Sequence, residues 1–284
     1  MERMIGMSMG LPYLNARQFA AMKEAGVDCV EISCAYADYP LLDYRKVAEE
    51  AEEQGITLWS FHYPFHKLNL AAHASGVRDA AVSYLSELTK KGADIGIKTF
   101  VVHASNEPVE EDTRAESLKC AMDSLARLGE VAASCGVRIA VEDLPRTCLG
   151  NCHEDILKLI SAHKSLGVCF DTNHLTKESG EDFVKAVAPH LLTVHLSDFD
   201  NINERHWLPG EGKLNWTTLM EALDEANYRG PLMYEVPFGS TANIDRATPL
   251  TPADFAENAK FLIAHLTPAP HDIPPSNLGF WGRR

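Results

Sequence analysis

The chain has 284 residues, of which 45% are hydrophobic and 23% charged, a composition typical of soluble globular proteins with a sizeable core. Its formal net charge of −14 argues against a nucleic-acid partner, because such binding depends on Lys and Arg neutralising phosphates. No apolar run approaches the roughly 18 residues that span a bilayer, and the N-terminal segment lacks the features of a secretory signal. We therefore expect a cytoplasmic protein that binds neither nucleic acid nor membrane.

The seven cysteines show no spacing typical of a disulfide framework. Cys148 and Cys152 lie four residues apart, but no second cysteine pair completes a zinc site. We expect all seven to be reduced thiols, as is usual in the cytoplasm.

Eight short β-branched or apolar runs alternate with longer amphipathic segments along the chain. Several of these segments end at a glycine, the residue commonly found just beyond the end of a helix. The helical patterns include residues 16–26, 44–55 and 216–230. The predicted strands lie within residues 4–8, 27–33, 56–62, 99–105, 137–143, 166–172, 191–198 and 231–237.

Eight strand–helix units in a chain of this length predict an α/β fold, a (β/α)8 TIM barrel formed as a single domain by residues 1–266. The active site of such a barrel lies at the C-terminal ends of its strands. An open, doubly wound sheet is the alternative, but no GxGxxG motif follows an early strand. Residues 267–284 form a Pro-rich tail that we expect to be irregular. Its Phe280 and Trp281 could dock on the barrel or on a neighbouring subunit of a homo-oligomer, and the tail could equally be disordered.

An acid or an imidazole stands near the end of nearly every predicted strand from the second onward. A buried strand has little reason to carry such groups, because an unpaired buried charge costs several kcal/mol. A single histidine in such a place is more often a hydrogen-bonded core residue than a ligand. Together, however, the residues indicate one shared site at the C-terminal end of the barrel. They are Glu31, His62, His103, Glu142, Asp171, His195 and Glu235.

Four of these residues form a reasonable ligand set for a divalent metal: Glu142, Asp171, His195 and Glu235. Three carboxylates brought this close would repel one another and raise their pKa values unless a cation lay among them. Three oxygens and one nitrogen suit Mn, Co, Mg or Zn. His174 follows Asp171 by three residues and reaches the same cavity if the chain enters a helical turn there.

Seven motifs in a fixed order carry a resemblance to a known family. They are FHYPFHKLNLA (61–71), VVHAS (101–105), AVEDLP (140–145), FDTNH (170–174), VHLSD (194–198), HWLPGEG (206–212) and YEVP (234–237). Over residues 4–263 the chain resembles the xylose isomerase-like barrels. This superfamily contains sugar isomerases, epimerases and related dehydratases, together with a metal-dependent apurinic endonuclease.

The resemblance implies a carbohydrate substrate and one divalent metal ion held by Glu142, Asp171, His195 and Glu235. In the sugar enzymes the two matching glutamates also act as acid and base on opposite faces of the substrate. The metal holds adjacent carbonyl and hydroxyl oxygens, and proton abstraction beside that carbonyl gives an enediolate. Other residues would bind or orient the sugar, and these are His62, His103, His174, Arg205, His206 and Trp207.

Arg205 has an alternative role in a surface ion pair with Asp198, Asp200 or Glu204. A phosphate site in barrels usually follows strands seven and eight. Here that region has no basic residue before Arg246, so a neutral sugar is favoured over a sugar phosphate.

Three other functions remain alternatives to sugar isomerisation or epimerisation. A lyase or dehydratase of the inosose or dehydroshikimate type would begin with the same proton abstraction. A trinuclear-zinc endonuclease would use an Asp-Arg-His triplet, which appears here as Glu204-Arg205-His206, and the net charge disfavours DNA. A non-catalytic binding barrel has little support, because the acid–base pair is intact.

Overall fold

The computed structural model describes residues 3–174, 177–239 and 248–271. Within them, eight strands alternate with eight α-helices. The strands are β1 (Ile5–Met9), β2 (Cys29–Ile32), β3 (Thr57–His62), β4 (Thr99–Val102), β5 (Arg138–Glu142), β6 (Leu166–Asp171), β7 (Leu191–His195) and β8 (Leu232–Tyr234). The helices are α1 (Ala16–Ala25), α2 (Tyr44–Glu53), α3 (Ser75–Asp94), α4 (Arg114–Cys135), α5 (His153–Ile160), α6 (Gly180–Val187), α7 (Trp216–Glu225) and α8 (Pro252–Ile263). Two 3₁₀ turns cover Tyr39–Leu41 and Ala188–His190.

The eight strands form one parallel sheet in the order β7-β6-β5-β4-β3-β2-β1-β8. Strands β7 and β8 meet at one parallel bridge between Leu196 and Tyr234. The amide of Leu196 donates to the carbonyl of Met233 at 2.8 Å, and the amide of Glu235 donates to the carbonyl of Leu196 at 3.1 Å. The sheet is therefore a nearly closed barrel, which confirms the predicted (β/α)8 fold.

Local sequence signals set the helix ends. The side chain of Asn15 accepts the amide of Gln18 and caps the start of α1, as short polar residues do at this position. Gly26 follows the same helix with a φ of 90°, a left-handed conformation that favours glycine. The chain then turns directly into β2.

A small apolar cluster lies inside the barrel, next to the C-terminal ends of the strands. Val101, Ala140 and Cys169, on β4, β5 and β6, form a buried cluster separate from the main core. Side chains two residues apart in a strand share a face. Ala140 and Glu142 therefore share one face of β5, and Cys169 and Asp171 share one face of β6.

The predicted strands are confirmed, although several are shorter than the apolar runs that predicted them. All seven cysteines are free thiols, and the part of the chain described here contains no helix long and apolar enough to cross a membrane. The predicted boundary at residue 266 and the role of the tail stay predictions, because Phe280 and Trp281 lie outside the described residues.

Candidate active site

The fold brings the predicted strand-end residues to one end of the barrel. Glu142, Asp171 and His195 are the last residues of β5, β6 and β7, and Glu235 directly follows β8. His62 likewise ends β3. Parallel strands finish at the same rim of a barrel, and this common direction places the five side chains in one region.

The carboxylate of Glu142 lies at the centre of this group. Its Oε2 is 3.0 Å from Nε2 of His62 and 3.0 Å from Nε2 of His103. Its Oε1 is 3.1 Å from Nδ1 of His195. Three imidazoles, at the ends of β3 and β7 and directly after β4, thus converge on one buried carboxylate.

The four predicted metal ligands lie together. One ligand atom from each of Glu142, Asp171, His195 and Glu235 can be chosen so that all lie within 4.8 Å of one another. Oδ2 of Asp171 and Oε2 of Glu235 are buried without a hydrogen-bond partner. An unpaired buried carboxylate oxygen is costly, and a cation among these atoms would supply the missing partner. The residues therefore fit a divalent metal.

The pKa values of the three carboxylates in the cluster are shifted in different directions. Burial alone would raise the pKa of Glu142, but His103 and His195 outweigh it, so the pKa lies well below its usual range. The pKa of Glu235 is also lowered, since His195 and His206 outweigh its burial. Burial raises the pKa of Asp171 well above its usual range, and Glu235 and Glu142 repel its charge further.

Two of the predicted substrate-binding histidines are anchored through the backbone. Nδ1 of His174 donates to the carbonyl of Asp143 at 2.8 Å, and Nδ1 of His206 donates to the carbonyl of Glu235 at 3.0 Å. Each ring therefore keeps Nε2 for another partner. For His174 that partner is Oε1 of Glu204, at 3.4 Å.

A cavity of about 340 Å³ opens onto the cluster. Its lining includes both predicted acid–base residues, Glu142 and Glu235, and the histidines His103, His174 and His206. A second cavity of about 510 Å³ shares Glu235 and His206 with the first. Volumes of 300–1,000 Å³ are usual for small-molecule sites.

Not every predicted substrate-binding residue lines these cavities. His62 is buried and faces Glu142 instead. Arg205 is bound through Nε and Nη2 to Oδ2 of Asp200, at 2.9 and 2.6 Å, and its guanidinium lies over the buried ring of Trp207. The ion pair with Asp200 is the alternative considered for Arg205, and substrate contact by Arg205 and Trp207 stays a prediction from the sequence.

The sequence pattern missed a charged group on the cavity wall. Arg146 donates from Nε to Oε2 of Glu107 at 2.8 Å, and its Nη1 lies 3.1 Å from Oε2 of Glu204. All three side chains line the 340 Å³ cavity. They stand on three different loops. Glu204 belongs to the triplet named from the sequence, whereas Arg146 and Glu107 lie outside the strand-end pattern. Arg146 does follow the AVEDLP motif directly, which is the one available signal.

The trinuclear alternative depends on Glu204, which would have to join a metal cluster. Among the described residues, two groups have the ligand spacing of a metal site. Both contain Glu142 and His195, and neither contains Glu204. Glu204 is instead held between Arg146 and His174.

Comparison with known proteins identifies the family. The family model described as "Xylose isomerase-like TIM barrel" matches residues 19–265. The chain therefore belongs to the xylose isomerase-like TIM barrel family, as its motifs suggest.

Several of the similar proteins are named as sugar epimerases or as an inosose dehydratase. A D-psicose 3-epimerase from Enterocloster bolteae is 26% identical over 270 residues, covering 84% of each chain. An inosose dehydratase from Geobacillus thermodenitrificans is 29% identical over 135 residues, which is 40% of this chain and 45% of the relative. Among solved structures, a D-tagatose 3-epimerase-like protein superposes with a TM-score of 0.76 at 22% identity, covering 91% of this chain and 97% of that one.

Proposed function

We propose that this protein is a divalent-metal-dependent isomerase or epimerase that acts on a small sugar or keto-polyol. The observation that carries the proposal is the cluster of Glu142, Asp171, His195 and Glu235, which includes two buried carboxylate oxygens without a partner. The sugar 3-epimerases among the relatives support the substrate class. We also propose that the protein works in the cytoplasm.

The four clustered residues would hold one ion of Mn, Co, Mg or Zn. When bound, such an ion supplies Lewis-acid charge that acidifies the carbon beside a carbonyl. Glu142 and Glu235 both line the cavity. Their lowered pKa values leave both carboxylates ionised at neutral pH, as a proton-accepting base requires.

The chain's own residues then determine the outcome of the reaction. One glutamate removes the proton from the carbon beside the carbonyl. Return of the proton by the other glutamate, on the opposite face, inverts that carbon, whereas return to the neighbouring carbon isomerises the sugar. His103, His174 and His206 line the same cavity and would bind the hydroxyls.

Dehydration is the second candidate function, because it begins with the same proton abstraction. The partial match to an inosose dehydratase supports this second function. Loss of water from an inosose, with no interconversion of ketoses, would identify a dehydratase.

The first test is the metal content of the full chain purified without chelators, measured by elemental mass spectrometry. About one divalent ion per chain is expected. Close to three zinc ions would instead favour the trinuclear-zinc endonuclease alternative. A chain without metal would overturn the proposal.

The second test is exchange of a carbon-bound substrate hydrogen with deuterated solvent, followed by NMR on a panel of ketoses. Glu142→Gln and Glu235→Gln should each abolish exchange while circular dichroism shows a folded barrel. The matched control Glu52→Gln changes the same group on the exposed surface of α2 and should exchange normally. Normal exchange in both active-site variants would remove the two-glutamate mechanism.

A further inference from the structure

We infer that Glu31 is a positioning residue that holds His195 with Nδ1 directed toward the metal cluster. Glu31 is not one of the proposed ligands, and the inference rests on the metal-dependent function proposed above. Four observations support it: the direction of the His195 ring, the placement of Glu31, the hydroxyls that hold Glu31, and its complete burial.

His195 is oriented opposite to the other histidines anchored in the site. His62, His174 and His206 each direct Nδ1 to a backbone carbonyl, at 2.8, 2.8 and 3.0 Å. Each of these rings therefore turns Nε2 toward the site. In His195, by contrast, Nε2 lies 3.0 and 3.1 Å from the two oxygens of Glu31.

The other nitrogen of His195 faces the cluster. Nδ1 lies 3.1 Å from Oε1 of Glu142, 3.4 Å from Oε2 of Glu235 and 4.0 Å from Oδ2 of Asp171. Carboxylates face both nitrogens of His195, but Glu31 is not one of the proposed ligands, so Nε2 is the nitrogen that would keep its hydrogen when a metal is bound. The lone pair that a metal needs is then on Nδ1, the nitrogen surrounded by the three other ligands.

Two serines on neighbouring strands hold Glu31 in place. Ser8 on β1 donates to Oε1 at 2.9 Å, and Ser60 on β3 donates to Oε2 at 2.8 Å. Both serines lie opposite Glu31 in the strand register. The pairing of β2 with β3 shifts between Val30 and Glu31, and this irregularity aligns Glu31 with Ser60.

Complete burial makes this arrangement specific. Glu31, Ser60 and His195 are all fully buried. With Ser8, Ser60 and His195 as its partners, the Glu31 carboxylate has a donor on each oxygen, and its position leaves the His195 ring one orientation. Outer partners of this kind typically change metal affinity about 10- to 100-fold when they are mutated.

The decisive measurement is titration of Mn²⁺ into the metal-free full chain by isothermal calorimetry. Glu31→Ala is expected to bind Mn²⁺ about 10- to 100-fold more weakly than the wild type. Glu31→Gln keeps a carbonyl acceptor for Nε2–H and should recover part of that loss. The matched control Asp155→Asn alters another buried carboxylate, which bonds Arg114, and should bind as the wild type does.

A second readout examines the ring directly. In Zn²⁺-loaded full chain with ¹⁵N-labelled histidine, NMR should show hydrogen on Nε2 of His195 and metal on Nδ1. This measurement uses the wild type, so it tests the orientation of the His195 ring even if Glu31→Ala does not fold, and Glu31→Gln then tests the part played by Glu31.

The possible results separate the two proposals. Wild-type affinity in both Glu31 variants, or metal on Nε2 of His195, would overturn the positioning role while leaving the metal-dependent function intact. A wild-type chain that binds no Mn²⁺ would overturn the metal-dependent function, and the role of Glu31 with it.

Discussion

Arg146 is a cationic residue on the wall of the proposed active site, in a chain whose net charge is strongly negative. Its hydrogen bonds to Glu107 raise its pKa further, and Glu204 adds to the effect. Because its two partners stand on different loops, Arg146 joins three loops around the cavity. We therefore expect Arg146 to fix the shape of the wall.

We expect Arg146→Ala to raise the KM for the sugar on the order of 10-fold, equivalent to about 1.4 kcal/mol. The free energy of unfolding should fall by less than about 2 kcal/mol, because partly exposed ion pairs contribute roughly 0.2–1 kcal/mol each. Steady-state kinetics and urea denaturation measure the two quantities.

Arg127→Ala is the matched control for this change. It removes a surface ion pair with Asp79, at 2.7 Å, on the outside of the barrel. An unchanged KM in Arg146→Ala, or an equal rise in Arg127→Ala, would contradict a role for Arg146 in shaping the cavity.

At the scale of elements, one buried carboxylate organises the loop between β7 and α7. Asp198 accepts the amide of Gly210 at 2.9 Å and Nε1 of Trp216 at 2.8 Å. Burial raises the pKa of Asp198, although these donors oppose the shift. The loop held in this way carries Glu204 and His206 to the cavity.

Helix α3 contains two glycines with opposite expected responses to alanine. A Cβ on Gly92 would lie 2.7 Å from the buried ring of Phe100, whereas a Cβ on Gly76 would meet nothing within 4 Å. Gly92→Ala should lower the free energy of unfolding by about 1–3 kcal/mol through overpacking. Gly76→Ala should leave it unchanged or raise it by up to about 1 kcal/mol.

Urea denaturation of both glycine variants measures these changes. Equal stability of the two variants would contradict overpacking of Gly92→Ala against Phe100. The two substitutions add the same methyl group to the same helix, so the comparison isolates packing from helix propensity.

The strand ends were predictable from the sequence because buried strands rarely carry ionisable groups, so Glu142, Asp171 and His195 stood out from their apolar surroundings. Arg146 and Glu107 were not predictable, since loop residues have no periodicity and their meeting depends on how two loops fold. Glu31 had the right position in the pattern, but its contact with His195 crosses the barrel between β2 and β7. The sequence pattern does not show which residues of two separate strands come into contact.

At the scale of the whole molecule, the proposed ion should stabilise the fold, because its ligands lie at or directly after the ends of four strands. A ligand present at 100 times its Kd contributes about 2.7 kcal/mol when it binds only the native state. In a domain of this size each kcal/mol corresponds to about 2–4 °C in Tm. Saturating Mn²⁺ should therefore raise the Tm by roughly 5–11 °C.

Differential scanning fluorimetry with and without Mn²⁺ measures this shift, and EDTA should reverse it. His195→Ala removes the nitrogen ligand and should abolish the shift. A shift of the same size in His195→Ala would indicate that Mn²⁺ binds elsewhere.

The barrel closes at a seam, since β7 and β8 share one bridge, between Leu196 and Tyr234. His195 and Glu235 stand on opposite sides of that seam, each next to a residue of the bridge. An ion bound by both would cross-link β7 and β8 where the backbone pairing of the sheet is sparsest. Metal binding would then strengthen the closure of the barrel as well as complete the proposed active site.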